Sequence, residues 1–134
     1  MVPPDARAEP GRILVVDDDR SARLLLECVL VRAGHVVVLV DSAEEALEAL
    51  KAEPFDVLMT DKNLPGLDGF EVLRQARVLR PRLRALLMTG FPTPETRDVA
   101  FDLGVHAYVT KPFGVHDILD VCESAIRASR EADS

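Results

Sequence analysis

Residues 57–73 read VLMTDKNLPGLDGFEVL. An apolar run closes on a carboxylate, Asp61. Pro65, Gly66 and Gly69 punctuate the loop behind it, and a helical pattern then begins. An apolar run bounded by turn residues and followed by a 3.6-residue period reads as a strand, a tight turn and a helix. The acid is the informative residue, because a charge at the end of a buried strand is costly unless something partners it.

The same unit recurs on either side. Upstream, RILVVDDD (12–19) sets four aliphatic residues ahead of three acids, the pattern of a strand covered on both faces. From Ser21 the period changes: Ala22, Leu25, Leu26, Val29, Leu30 and Ala33 fall on one helical face, and Gly34 stops the helix. VVVLV (36–40) is a second buried strand. SAEE (42–45) is a capping box that opens a helix with Ala43, Ala46, Leu47 and Leu50 inward.

Downstream, Asp68 caps the helix GFEVLRQARVLR (69–80), and LRALLMT (83–89) is the fourth strand. Thr93 and Pro94 are N-cap and first turn of a helix with Thr96, Val99, Ala100 and Leu103 inward. HAYVT (106–110) is a short fifth strand. The last helix presents Val115, Ile118, Leu119, Cys122, Ala125 and Ile126 on one side.

Five βα units in a row need crossover connections, which make a parallel sheet with helices on both faces. The chain is therefore expected to be α/β, an open doubly wound sheet whose ligands gather at the carboxyl ends of the strands. Residues 1–11, rich in Pro, Ala and charge, read as a disordered leader, 12–128 as the folded domain, and 129–134 as a frayed tail.

Composition narrows the function classes. The 134 residues are 48% hydrophobic and 29% charged, with a net charge of -7. That balance argues against nucleic-acid binding by the chain itself, which rests on a basic surface, and against an acidic membrane. No signal peptide or spanning segment is evident, so the expected compartment is cytoplasmic. Cys28 and Cys122 lack metal-binding spacing and read as small buried core residues. His35, His106 and His116 show no ligand spacing and read as surface or half-buried.

Chemistry collects at the strand ends: Asp17, Asp18 and Asp19 after the first, Asp61 after the third, Thr89 after the fourth, Lys111 after the fifth. Read alone, the acidic run is a helix N-terminus that suits the macrodipole. With Asp61 beside it, crowded carboxylates repel, and a hard divalent cation such as Mg2+ relieves them. Lys111, the Thr89 hydroxyl and N–H groups near the 62–63 turn add donors for a tetrahedral oxyanion. Phosphoryl transfer needs such positioned charge, and a carboxylate can serve as its nucleophile.

In this order the motifs ILVVDDD, DVLMTDKNLPGLDGFEVL, LLMTG and AYVTKPF resemble the receiver domain of two-component response regulators, from about Arg12 to Arg127. The resemblance implies a flavodoxin-like (βα)5 sheet of strand order 2-1-3-4-5. It implies that Asp61 accepts a phosphoryl group from a histidine kinase or phosphotransfer protein. Mg2+ would be held by Asp18 directly, by Asp17 through water, by Asp61, and by the main-chain carbonyl of Asn63. Lys111 would pair with Asp61 and then with the phosphoryl oxygens, and the Lys111–Pro112 bond would be cis. Thr89 and Tyr108 would form the switch, read out on the fourth helix, fifth strand and fifth helix. Such a protein is not an enzyme beyond its own phosphorylation and dephosphorylation. It would signal by protein contact, as a single-domain regulator or a module of a longer protein, monomeric or dimerising on phosphorylation.

Some positions vary within that family. Asp19 reads as a helix cap or a solvent residue, with a metal role as the lesser alternative, Lys62 as a solvent or partner-choice residue, and Phe91 as a ring near the phosphoryl group that would slow attack by water. Two rival readings differ in class. DDDRS (17–21) is close to the DxDx[T/V] motif of haloacid-dehalogenase-like phosphatases, with Asp17 as nucleophile, but Ser21 is off-motif and no late acidic pair follows. A receiver-like scaffold that works without phosphate is the other.

Overall fold

The computed structural model describes residues 10–131. The elements alternate without exception: β1 (Arg12–Val16), α1 (Arg20–Arg32), β2 (Val36–Val40), α2 (Ala43–Ala52), β3 (Val57–Asp61), α3 (Gly69–Leu79), β4 (Arg84–Thr89), α4 (Pro94–Asp102), β5 (Ala107–Thr110) and α5 (Val115–Glu131). All strand pairings are parallel and the order is β2-β1-β3-β4-β5. This is the doubly wound sheet expected from the sequence.

Alternate strand residues feed two cores. Leu14, Val16, Leu58 and Leu87 meet the inner faces of α2, α3 and α4. Ile13, Val15, Val57, Met59, Leu86 and Met88 meet α1 and α5. Every one of these strand side chains is fully buried. Each stabilises the fold by about 1.5–3 kcal/mol.

The helices begin where local chemistry says they should. Ser42 accepts from the Glu45 N–H (3.2 Å), Asp68 from Glu71 (3.0 Å) and Asp19 from Ser21 (3.0 Å). Around Ser42 the cap is the Ser half of the expected box, whereas Thr93 and Thr96 form a reciprocal box with Pro94 in the first turn. Gly34 and Gly104 take positive φ just past α1 and α4, as helix-ending glycines do.

Several expectations are corrected. β2 is an edge strand, so it is half-buried and Val36 is exposed. On α1 the buried residues are Leu26 and Leu30, one turn apart. Cys28 lies about 200° around the helix from Leu26, so it is exposed rather than core, and Leu25 is exposed too. Cys122 is buried as expected. α4 turns only Ala100 fully inward, leaving Val99 at the surface, and Val115, at the start of α5, is exposed.

His35 is buried, not superficial, because Gly11 lies over it and donates its N–H to Nδ1 at 3.1 Å. Gly11 is itself packed against Ile126 and belongs to the fold. The rest of the expected leader, 1–9, lies outside the described residues. The expected boundary at 128 is too early: α5 runs to Glu131, Ser129 is buried, and Arg130 donates to the Pro10 carbonyl at 2.6 Å. Residues 132–134 lie outside the description.

Candidate functional site

β1 and β3 lie side by side, so their ends bring Asp17, Asp18 and Asp61 to one edge. One oxygen from each of these carboxylates lies within 4.8 Å of the others. Asp17 is fully buried, Asp61 nearly so, and Asp18 is exposed. The donor set is all oxygen, partly open to solvent and strongly anionic, which fits Mg2+.

Asp17 is held on every side. Its Oδ1 accepts from the Asp19 N–H (2.9 Å), its Oδ2 from Lys111 Nζ (2.6 Å), and its carbonyl from Arg23 Nη1 (2.6 Å). Lys111 also reaches Asp61 Oδ2, at 3.4 Å. The ammonium thus bridges two carboxylates and leans toward Asp17, a preference the sequence reading, which paired it with Asp61, did not contain.

Burial raises the pKa of Asp61; attraction to Lys111 opposes this and repulsion from Asp17 adds to it. The main chain at Asn63 acts to lower the value, the smallest of these effects. For Lys111, burial acts to lower the pKa, but its hydrogen bond to Asp17 and the charges of Asp17 and Asp61 outweigh it and raise the value.

The loop behind Asp61 is fixed from two directions. The Lys62 N–H donates to the Met88 carbonyl (2.9 Å), and the Lys62 carbonyl accepts from the Gly69 N–H (2.7 Å). A Cβ on Gly69 would stand 2.8 Å from Lys62 Cα and closer still to the Asp61 carbonyl oxygen, so only glycine lets α3 start there. Gly66 takes φ +84° in the same turn. The Lys62 ammonium lies over the Phe70 ring, 5.3 Å from its centre.

Thr89 is buried at the end of β4, its Oγ1 accepting from the Phe91 N–H at 3.1 Å and its carbonyl from the Lys111 N–H at 2.8 Å. Lys111–Pro112 is cis. Tyr108, half-buried on β5 and in register with Leu87, bonds through its hydroxyl to Thr96 Oγ1 at 2.8 Å. That contact was not anticipated, although the inward placement of Thr96 was its signal. Asp19 is the cap of α1, and Phe91 is 80% exposed. His116 is exposed, and His106 is half-buried with Nε2 at 2.9 Å from Ser124 Oγ. A cleft of about 500 Å³ opens at the opposite edge, beside Arg12, Phe55 and Arg80, away from the acids.

No helix among the described residues is long and apolar enough to cross a membrane. Comparison with known proteins gives a consistent set. The family model for the response regulator receiver domain matches residues 13–123. The response regulator protein FleR of Pseudomonas aeruginosa is 39% identical over 111 residues, covering 83% of this chain and 24% of FleR. The DNA-binding transcriptional regulator NtrC of Escherichia coli is 35% identical over 121 residues, covering 90% of this chain and 26% of NtrC. The chain thus spans about a quarter of the length of these curated relatives. Among solved structures, a CheY-like receiver domain protein from Methanospirillum hungatei superposes with a TM-score of 0.88 at 28% identity, covering 92% of this chain and 99% of that one.

Proposed function

The chain belongs to the response regulator receiver domain family, a family of signalling domains, and on that premise we propose that Asp61 is its phosphoacceptor. The donor is the phosphohistidine of a histidine kinase or phosphotransfer protein. An Asp61 oxygen attacks phosphorus, the P–N bond to the donor imidazole breaks, and the electron pair leaves on that nitrogen. The product is an aspartyl phosphate.

The observation that carries this reading is the Lys111 ammonium, 2.6 Å from Asp17 and 3.4 Å from Asp61. Fixed positive charge beside the nucleophile is what phosphoryl transfer asks of a protein, because charge spreads over three equatorial oxygens. Asp17, Asp18, Asp61 and the Asn63 carbonyl would hold Mg2+, which supplies further positive charge to those oxygens. The Lys62 N–H is taken up by the Met88 carbonyl, so of the two turn N–H groups that of Asn63 is the one left for the phosphoryl oxygens. Since Lys111 bonds Asp17 more closely, its shift onto the phosphoryl oxygens gives up a contact with a carboxylate that the cation also faces.

Phosphorylation adds roughly -1.5 to -2 charges at one point. Thr89 is the nearest hydroxyl on β4, and its movement toward the phosphoryl group opens space for Tyr108. The result is read on α4, β5 and α5 by a protein partner. Water then attacks phosphorus, the bond between phosphorus and the Asp61 oxygen breaks, and inorganic phosphate leaves, which returns Asp61 to its free carboxylate.

Acetyl phosphate with Mg2+ tests the assignment. Wild type should acquire one hydroxylamine-labile phosphoryl group per chain, and Asp61→Asn none. Label retained in Asp61→Asn, or lost only in Asp17→Asn, would refute it.

A further inference from the structure

Tyr108 has a resting partner that the proposed phosphorylation chemistry does not use. Its hydroxyl lies 2.8 Å from Thr96 Oγ1, a residue in the first turn of α4. The same Thr96 oxygen lies 3.1 Å from the Thr93 N–H, 3.0 Å from the Thr93 carbonyl and 3.0 Å from Thr93 Oγ1.

A hydroxyl has one proton and two lone pairs. Donation to the Thr93 carbonyl uses the proton of Thr96. The Thr93 N–H takes one lone pair, which leaves one for the Tyr108 O–H. Thr96 is then saturated, and the short Tyr108 contact fills its last site. The Thr93 hydroxyl, which accepts from the Thr96 N–H at 3.1 Å, lies 3.0 Å from the same oxygen and competes with Tyr108, at 2.8 Å, for that site. The Thr93–Thr96 box therefore presents Thr96 Oγ1 to Tyr108 in a fixed position, held by three contacts within its own helix turn.

Resting on the phosphoacceptor reading of Asp61, we propose that Thr96 is a positioning residue of the switch. Its hydroxyl holds the Tyr108 ring in the resting place, and inward rotation of Tyr108 breaks this bond. The bond sets the bias between the two positions of the ring. A ligand at Asp61 must overcome it, and removing it lowers the ligand concentration needed.

The size follows from one neutral hydrogen bond, whose loss shifts an equilibrium roughly 2- to 10-fold. The readout is specific, because Tyr108 is the only tyrosine of the 134 residues and tryptophan is absent. Tyrosine fluorescence or the ring signals of labelled tyrosine therefore report this side chain alone.

The experiment compares wild type, Thr96→Val, Thr96→Ser, Tyr108→Phe and Thr96→Val/Tyr108→Phe, each titrated with beryllofluoride in Mg2+ and monitored by backbone amide NMR. The tyrosine signal is followed in wild type and in the two variants that keep it. Before any addition, Thr96→Val should shift the tyrosine signal toward that of beryllofluoride-treated wild type, and Thr96→Ser should retain the resting signal. The titration midpoint should fall roughly 2- to 10-fold in Thr96→Val. In the Tyr108→Phe background the same change should leave the midpoint in place, which separates loss of the bond from a weakened α4 cap.

The proposal is overturned if Thr96→Val leaves the resting tyrosine signal and the midpoint at wild-type values. It is equally overturned if Thr96→Ser behaves as Thr96→Val, or if Thr96→Val shifts the midpoint as much without the tyrosine hydroxyl. A wild type that ignores beryllofluoride defeats the Asp61 reading instead. The resting signals of the Val and Ser variants then still decide whether the Thr96 bond exists.

Discussion

Gly69→Ala tests the construction of the loop that follows Asp61. The added methyl would stand 2.8 Å from Lys62 Cα, 3.1 Å from the Asp61 carbonyl carbon and nearer still to its oxygen. These are main-chain atoms with little freedom. Asp61 is in register with Met88 on β4, the Lys62 N–H is bonded to the Met88 carbonyl, and the Lys62 carbonyl receives the Gly69 N–H at 2.7 Å. Two effects oppose each other. Alanine lowers the entropy of the unfolded chain, worth about 0.4–1 kcal/mol in favour of the fold. Overpacking costs about 1–3 kcal/mol, and a clash with fixed backbone belongs at the upper end. The net loss is then about 2–2.5 kcal/mol, seen as a lower urea midpoint at unchanged slope in circular dichroism. Gly90→Ala is the control, since a Cβ there meets nothing within 4 Å. If the two variants unfold at the same urea concentration, the close approach of α3 to the Asp61 loop is not as described.

Three further outcomes are expected. With Mg2+ at tenfold its Kd, wild type gains about 1.4 kcal/mol from binding to the native state; a calorimetric Tm unmoved by saturating Mg2+ would contradict the carboxylate site, and Asp18→Asn should blunt the gain. Lys111→Met leaves the buried Asp17 carboxylate without its ammonium, which costs about 3 kcal/mol of stability, and part of that loss should return when Mg2+ is added during urea unfolding. Burial, and then the charge of Arg84, lower the pKa of His106 below its ordinary 6.5. The unfolded chain therefore binds that proton more readily, so the contribution is fully present above about 6.5 and is lost as pH falls from there through the lower folded value. Urea midpoints from pH 8 to pH 5 should fall less in His106→Gln than in wild type.

The topology was legible because its signals are local. Apolar runs ending at Val16, Asp61 and Thr89 mark strands. Ser42, Asp68 and Thr93 mark helix starts within a few residues, and Gly34 and Gly104 mark ends. The acids, threonine and lysine followed from the rule that strand ends share an edge. What failed was finer. A periodic pattern does not say which of two adjacent apolar residues turns inward, so Leu25, Val99 and Val115 were placed too deep. Cys28 was judged by residue type, yet its angle around α1 decides its exposure. His35 is buried by Gly11, 24 positions earlier, a contact no local window holds. The preference of Lys111 for Asp17 depends on a difference of under an ångström between two acids, and the Tyr108–Thr96 bond joins neighbouring elements through two hydroxyl groups.

The closeness of Lys111 to Asp17 bears on how the chain comes to be folded at all. Three like charges brought to one rim would resist assembly, but the lysine arrives with the fifth strand as a built-in counter-ion and neutralises part of them. The rim is thus partly neutralised from within the chain, and its folding need not await a cation at the three carboxylates.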